Sequence, residues 1–228
     1  TIAEKLKDQL GYKIGVISSV NLNHATPAAF YCHQVSRNDY YDIGLELIES
    51  GFDYFAGGAL LQPTGAEEDQ DDLYELAADA GYTVVKTQAE AEALTPDAGK
   101  VVVVEEHLAD DDSIPYELDR TDDMWALSDY VAKGIEMLDN DTGFFMMVEG
   151  GKIDWACHAN DAASTLGDTQ ALKFLLKRLI QATDPGLPDL WTTEGPASER
   201  TLDILKLRLA GGELSLRAAN AATLHQGA

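Results

Sequence analysis

The chain has 228 residues, 45% of them apolar, which is enough for one large domain or two small ones with a sizeable core. Forty acidic residues oppose sixteen basic ones, and the resulting net charge of −24 repels nucleic acid and anionic membranes, which argues against polyanion binding. There is no run of about 18 apolar residues and no basic segment followed by an apolar one at the start, so neither a membrane span nor a signal peptide is expected.

The charge is unevenly spread. From Asp168 onward seven acidic residues balance seven basic ones, so the whole excess belongs to the part before it, as if two regions had different roles. Cys32 and Cys157 are the only cysteines, too few for a disulfide framework and wrongly spaced for a zinc cluster.

Thr1 to Leu10 carries Ile2, Ala3, Leu6 and Leu10 at helical spacing, with Gly11 where that helix would end. Tyr12 to Val20 reads as a strand, because Ile14, Val16 and Ile17 are β-branched. Pro27 suits the first turn of a helix running on to Tyr31, which makes Thr26 its N-cap. Asp42 to Ser50 is amphipathic, and Phe52 to Phe55 reads as a short strand closed by Gly57-Gly58. The acidic run Glu67 to Asp72 lacks the ligand alternation and central Gly of an EF-hand and reads as the solvated start of a helix over Leu73 to Ala80. A strand at Tyr82 to Val85, a helix at Gln88 to Leu94 and a strand at Val101 to Val104 give the alternation of an open parallel sheet. Asp110 to Asp112 reads as solvent-facing, and Asp122 to Leu138 as one long helix.

The chain is organised around the next stretch. Phe144 to Val148 is continuously apolar and too short for a helix, so it reads as a strand buried on both faces, ending at Glu149. Gly150 and Gly151 allow an abrupt turn by taking backbone angles other residues avoid. Beyond them Asp154 and His158 are four apart, one helical turn on one face, and with Glu149 they could close on a single ion. Two oxygen donors and one imidazole suit zinc, whereas oxygen ligands alone would suit magnesium or calcium. The same spacing also describes an ordinary surface pair. Ligands of open α/β sheets bind outside the carboxyl ends of the strands, which is where Glu149 falls. Arg37, on a loop after a strand, offers paired donors matched to phosphate oxygens, and an Arg there is equally an ordinary surface residue.

Val148-Glu149-Gly150-Gly151-Lys152-Ile153-Asp154-Trp155-Ala156-Cys157-His158 resembles the metal-binding segment of the alkaline phosphatases. His24-Ala25-Thr26-Pro27-Ala28-Ala29-Phe30-Tyr31 followed by Ser36-Arg37-Asn38-Asp39-Tyr40-Tyr41 resembles a second segment of that family, in the right order. The resemblance implies that Glu149 and Thr26 bind Mg2+, that Asp154 and His158 bind one of two Zn2+ ions, and that Arg37 grips the substrate phosphate. His24 lies near the magnesium position. The strand at Phe52 with its glycines, and Ile114 to Arg120, also resemble family segments. The implied chemistry is hydrolysis of phosphate monoesters, releasing inorganic phosphate, through a phosphoserine intermediate, with a possible homodimer in a periplasmic or extracellular setting.

The resemblance covers about residues 1–164, read as a partial α/β catalytic domain with an open, mostly parallel sheet flanked by helices. The family's nucleophilic Ser precedes the matched part, and Ser18, Ser19 and Ser36 lack its surroundings, so the 228 residues alone are expected to be inactive. Residues 165–228 read as an unassigned, mainly helical tail: a helix at Ala171 to Ile180, a break at Asp184 to Pro188, and a helix at Ser198 to Leu209. Two alternatives stand beside this reading: a non-catalytic acidic protein binding divalent cations or a partner, and a related metal-dependent phosphomutase or sulfatase.

Overall fold

The computed structural model describes residues 1–183, 205–209 and 212–216, with side chains through residue 176. Strands β1 (Lys13–Asn21), β2 (Tyr54–Gly58), β3 (Tyr82–Val85), β4 (Lys100–Val104) and β5 (Phe144–Glu149) form one sheet in the order β3-β4-β2-β1-β5, and every neighbouring pair is parallel. Helices α1 (Ile2–Leu10), α2 (Ala25–Ala28), α3 (Tyr40–Glu49), α4 (Leu73–Asp79), α5 (Gln88–Ala93), α6 (Leu127–Leu138), α7 (Lys152–His158) and α8 (Ala162–Thr183) complete this part of the chain. The polypeptide divides into two compact units after Leu172. The second unit includes a hairpin of β6 (Leu205–Leu209) and β7 (Gly212–Leu216), paired antiparallel.

Local chemistry sets the helix ends, and the close of α1 at Gly11 is as the sequence leads one to expect. Glu4 N donates to Thr1 Oγ1 at the start of α1, and Gly11 closes it at φ +66°. Asp72 caps α4 by accepting from Tyr74 N at 2.7 Å, so the end of the acidic run is a cap.

Successive strand residues face opposite sides, so the two layers can be read by parity. Ile14 and Val16 of β1, Phe55 of β2 and Val102 and Val104 of β4 share a core with Ala3, Ile43, Leu47 and Leu73 from α1, α3 and α4. On the other face lies α6, brought close by two glycines: a Cβ on Gly15 would lie 2.6 Å from Leu138 Cδ1, and one on Gly134 would lie 2.9 Å from the Tyr54 ring. No helix among the described residues is long and apolar enough to cross a membrane.

Five expectations are corrected. α6 begins at Leu127, not Asp122, because Asp129 accepts from Ala126 N at 2.8 Å and caps the helix there, while Met124 N closes a separate turn on Thr121 O. Thr26 is not a cap; it lies inside α2, whose N-cap position is His24. Gly57 and Gly58 belong to β2, where a Cβ would meet Ser18 O at 2.2 Å and Asp112 O at 2.7 Å, so close backbone approach demands glycine. β5 buries only Phe144 and Met147, since among the described residues it has β1 as its single neighbour. Residues 205–209 are a strand, not a helix, in keeping with leucines at every second position, and 198–204 lie outside the described residues.

Candidate metal and phosphate site

The carboxyl ends of β1 and β5 lie side by side, with Ser18 opposite Glu149 in the parallel register. Ser18 Oγ donates to Glu149 Oε2 at 2.6 Å and accepts from Val20 N at 3.1 Å. The Thr26 hydroxyl, carried by α2, lies near enough to the same carboxylate to favour its charged form. Burial pushes the Glu149 carboxyl above its ordinary range, the Ser18 and Thr26 hydroxyls hold it down, and the charge of Asp154 pushes it up. Glu149 and Thr26 therefore meet, with Ser18 as a third partner.

After Glu149 the chain turns into α7. Neither Gly150 nor Gly151 has a positive φ, so conformational freedom is not why glycine is needed here. Gly151 adopts φ −63°, ψ −27°, and a Cβ on it would lie 2.9 Å from both Val20 methyls and 3.2 Å from Glu149 Cδ. Space explains the residue. α7 then presents Asp154 and His158 to solvent, with His158 Nε2 3.5 Å from Asp154 Oδ2.

Arg37 donates from its terminal nitrogen to His24 Nε2 at 3.2 Å, which requires that ring nitrogen to be unprotonated. Burial lowers the His24 pKa, the Arg37 charge lowers it further, and Asp154 opposes both. The Trp155 ring meets His24 edge-on with centroids 5.8 Å apart. The six residues singled out in the sequence thus fall into three contacting pairs, Glu149–Thr26, Asp154–His158 and Arg37–His24, with the charge of Asp154 acting on both Glu149 and His24.

The three pairs do not collapse onto one ion. Among the described residues no three of His, Cys, Asp and Glu gather as a metal cage, because Glu149 is drawn to the sheet edge by Ser18 and Thr26 while Asp154 faces solvent. The donor chemistry divides in the same way. A hydroxyl with a carboxylate suits a hard cation, and a carboxylate with an imidazole suits zinc. Each pair could supply part of a metal's ligands. Sequence reading missed three participants. Ser18 was weighed only as a nucleophile, though its place at the end of a strand parallel to the one ending in Glu149 was a signal. Trp155 and Lys152 had none, because Trp155 meets His24 and Lys152 meets Ser113 and Tyr116, all far away in the chain.

The class is therefore an open parallel α/β domain with a polar cluster at the carboxyl edge of its sheet. The family model described as Alkaline phosphatase matches residues 1–53 and 54–186, and the chain belongs to the alkaline phosphatase family. Alkaline phosphatase 3 of Bacillus subtilis is 30% identical over 190 residues, covering 79% of this chain and 38% of that protein. Alkaline phosphatase 4 of the same organism is 29% identical over 188 residues, with 79% and 39% covered. Among solved structures, Thermus thermophilus alkaline phosphatase has a TM-score of 0.69 at 30% identity, covering 81% of this chain and 38% of that one. The enzyme of the Antarctic bacterium TAB5 has a TM-score of 0.67 at 26% identity, covering 78% and 51%. The chain thus spans well under half the length of the curated relatives it matches.

Proposed function

We propose that these residues form the phosphate-gripping edge and part of the metal-holding wall of a phosphomonoesterase. The observation that carries the reading is the Arg37 guanidinium, 3.2 Å from His24 Nε2 and exposed, in the same cluster as Glu149 and Asp154. Among the described residues no carboxylate lies within ion-pair distance of Arg37. Its remaining donors are free to take two nonbridging phosphate oxygens, and neutral His24 accepts one N–H and so aims the fork.

Thr26 and Glu149 would hold magnesium, and Asp154 with His158 would hold zinc. A variant of the TAB5 enzyme, 25% identical with a TM-score of 0.63, has been solved with magnesium bound, which supports magnesium as one of the metals. When bound there, metal would supply charge neutralisation and polarisation of the ester. Ser18 keeps the Glu149 carboxylate fixed at the strand end, and Arg37 orients the phosphate. Ser18 and Ser19 are not free nucleophiles. Ser18 donates to Glu149, and buried Ser19 accepts from Lys152 N at 3.1 Å. The substrate class is a phosphate monoester, and the 228 residues by themselves turn it over negligibly.

Calorimetric titration with inorganic phosphate, zinc and magnesium present, tests the reading: binding should weaken about tenfold or more in Arg37→Ala, as expected when a charge-assisted bidentate contact is lost. Unchanged affinity would refute it, and turnover of an aryl phosphate near that of an ordinary phosphatase would refute the inactivity. A zinc titration separates the non-catalytic alternative, because diffuse binding indifferent to His158→Ala would favour a merely acidic surface.

A further inference from the structure

Lys152 opens α7 and is fully buried, an unusual place for the residue type that most often stays in water. Its Nζ donates to Ser113 Oγ at 2.9 Å, and Ser113, itself buried, donates onward to Asp110 O at 2.7 Å. The ammonium lies 3.8 Å from the centroid of the Tyr116 ring and 5.2 Å from that of the Trp155 ring. Its backbone N–H is tied to Ser19 Oγ at the end of β1. Among the described residues no ion pair holds the ammonium, and Asp110, Asp168, Asp111 and Asp119 support its charge only through space.

A buried charge without a contacting carboxylate is costly, and a Met would fill the same space without that cost. Where a Met offers only weak sulfur–ring contacts, the ammonium brings a full charge, anchored on Ser113 Oγ, to two aromatic faces at once. One of those rings, Trp155, is the ring that meets His24, and His24 accepts from Arg37. The four residues form a continuous line from the buried end of α7 to the exposed guanidinium.

We propose that Lys152 is a positioning residue whose ammonium fixes the Trp155 indole, and through it the His24 ring and the Arg37 fork that receives phosphate. The last link rests on the phosphate-gripping role of Arg37, whereas the hold on Trp155 does not. The experiment uses the full chain with Trp125→Phe and Trp191→Phe, leaving Trp155 as the only tryptophan. Lys152→Met should shift Trp155 emission to longer wavelength and increase its quenching by acrylamide, with far-ultraviolet dichroism unchanged. Its affinity for inorganic phosphate should fall about tenfold, within the range by which residues touching no ligand modulate binding. Ser113→Ala, which keeps the amine but removes its anchor, should do both more weakly and decides the matter if Lys152→Met does not fold. Trp155 emission and quenching that stay at the parent values in a folded variant overturn the proposal. Parent phosphate affinity in Lys152→Met with Trp155 loosened overturns the link to Arg37. If the parent itself binds no phosphate, the Arg37 reading fails, and the Trp155 signals still decide whether Lys152 holds the indole.

Discussion

Replacing Gly151 with Ala sets two effects of opposite sign against each other. Its φ of −63° and ψ of −27° are ordinary for any residue, so a Cβ brings no backbone strain, and the stiffer unfolded chain favours Ala by about 0.4–1 kcal/mol. Against this, the added carbon would lie 2.9 Å from Val20 Cγ1 and Cγ2 and 3.2 Å from Glu149 Cδ, well inside the ~3.5–4.0 Å optimum for carbon contacts. Val20 is completely buried and β-branched, so it has no flexible end to swing away, and overpacking of this kind costs about 1–3 kcal/mol. At the middle of both ranges the steric effect wins, leaving a net loss of about 1.3 kcal/mol. Urea unfolding followed by dichroism measures it. Gly150→Ala is the control, since its Cβ meets only the mobile tips of Ile153 and Leu172 at 3.2 and 3.3 Å. Adding Val20→Ala to Gly151→Ala should return part of the loss as a favourable coupling. A Gly151→Ala midpoint at or above that of the parent would refute the spatial account.

Glu149→Gln keeps the acceptor for Ser18 but cannot ionise. Because burial raises the folded-state pKa above the ordinary 4.5, the parent without metal should lose stability relative to this variant as pH rises from 4.5 through the raised value, then level off. Unfolding in chelator from pH 4 to 8 checks the sign, and a parent gaining on the variant would count against it. Tyr130→Phe removes the donor to Glu105 Oε2 at 2.7 Å, where Glu105 is 2% exposed, and should cost about 1–3 kcal/mol in urea unfolding. Asp72→Ala removes the cap of α4 and should cost about 1 kcal/mol, visible as a lower midpoint without a change in slope.

Much of the fold was legible because its signals are local. The β-branched run at Ile14 to Ile17, the helical spacing of Ile2, Ala3 and Leu6, and the alternation of elements through Val104 each declare themselves within a few residues. The polar cluster was legible only in part. Glu149, Asp154 and His158 stood out by spacing and setting and Arg37 by its motif, whereas Gly150 and Gly151 have no positive φ and Thr26 lies inside α2 rather than capping it. Gly151 looked like a turn former because its neighbours along the chain are visible and Val20 across the sheet is not.

By itself the amino-acid order determined the parallel α/β alternation, the close of α1 at Gly11, the start of α4 after the acidic run, and which side chains carry charge and donors toward the strand ends. Tertiary structure alone decided that Ser18 serves Glu149 across 131 residues of chain, that β5 is half covered, and that the Lys152 ammonium is buried against two rings. Periodicity is written between residues a turn or two apart, but partners are chosen by strand register and by which helix closes over which face, and those are settled only when distant segments compete for the same space.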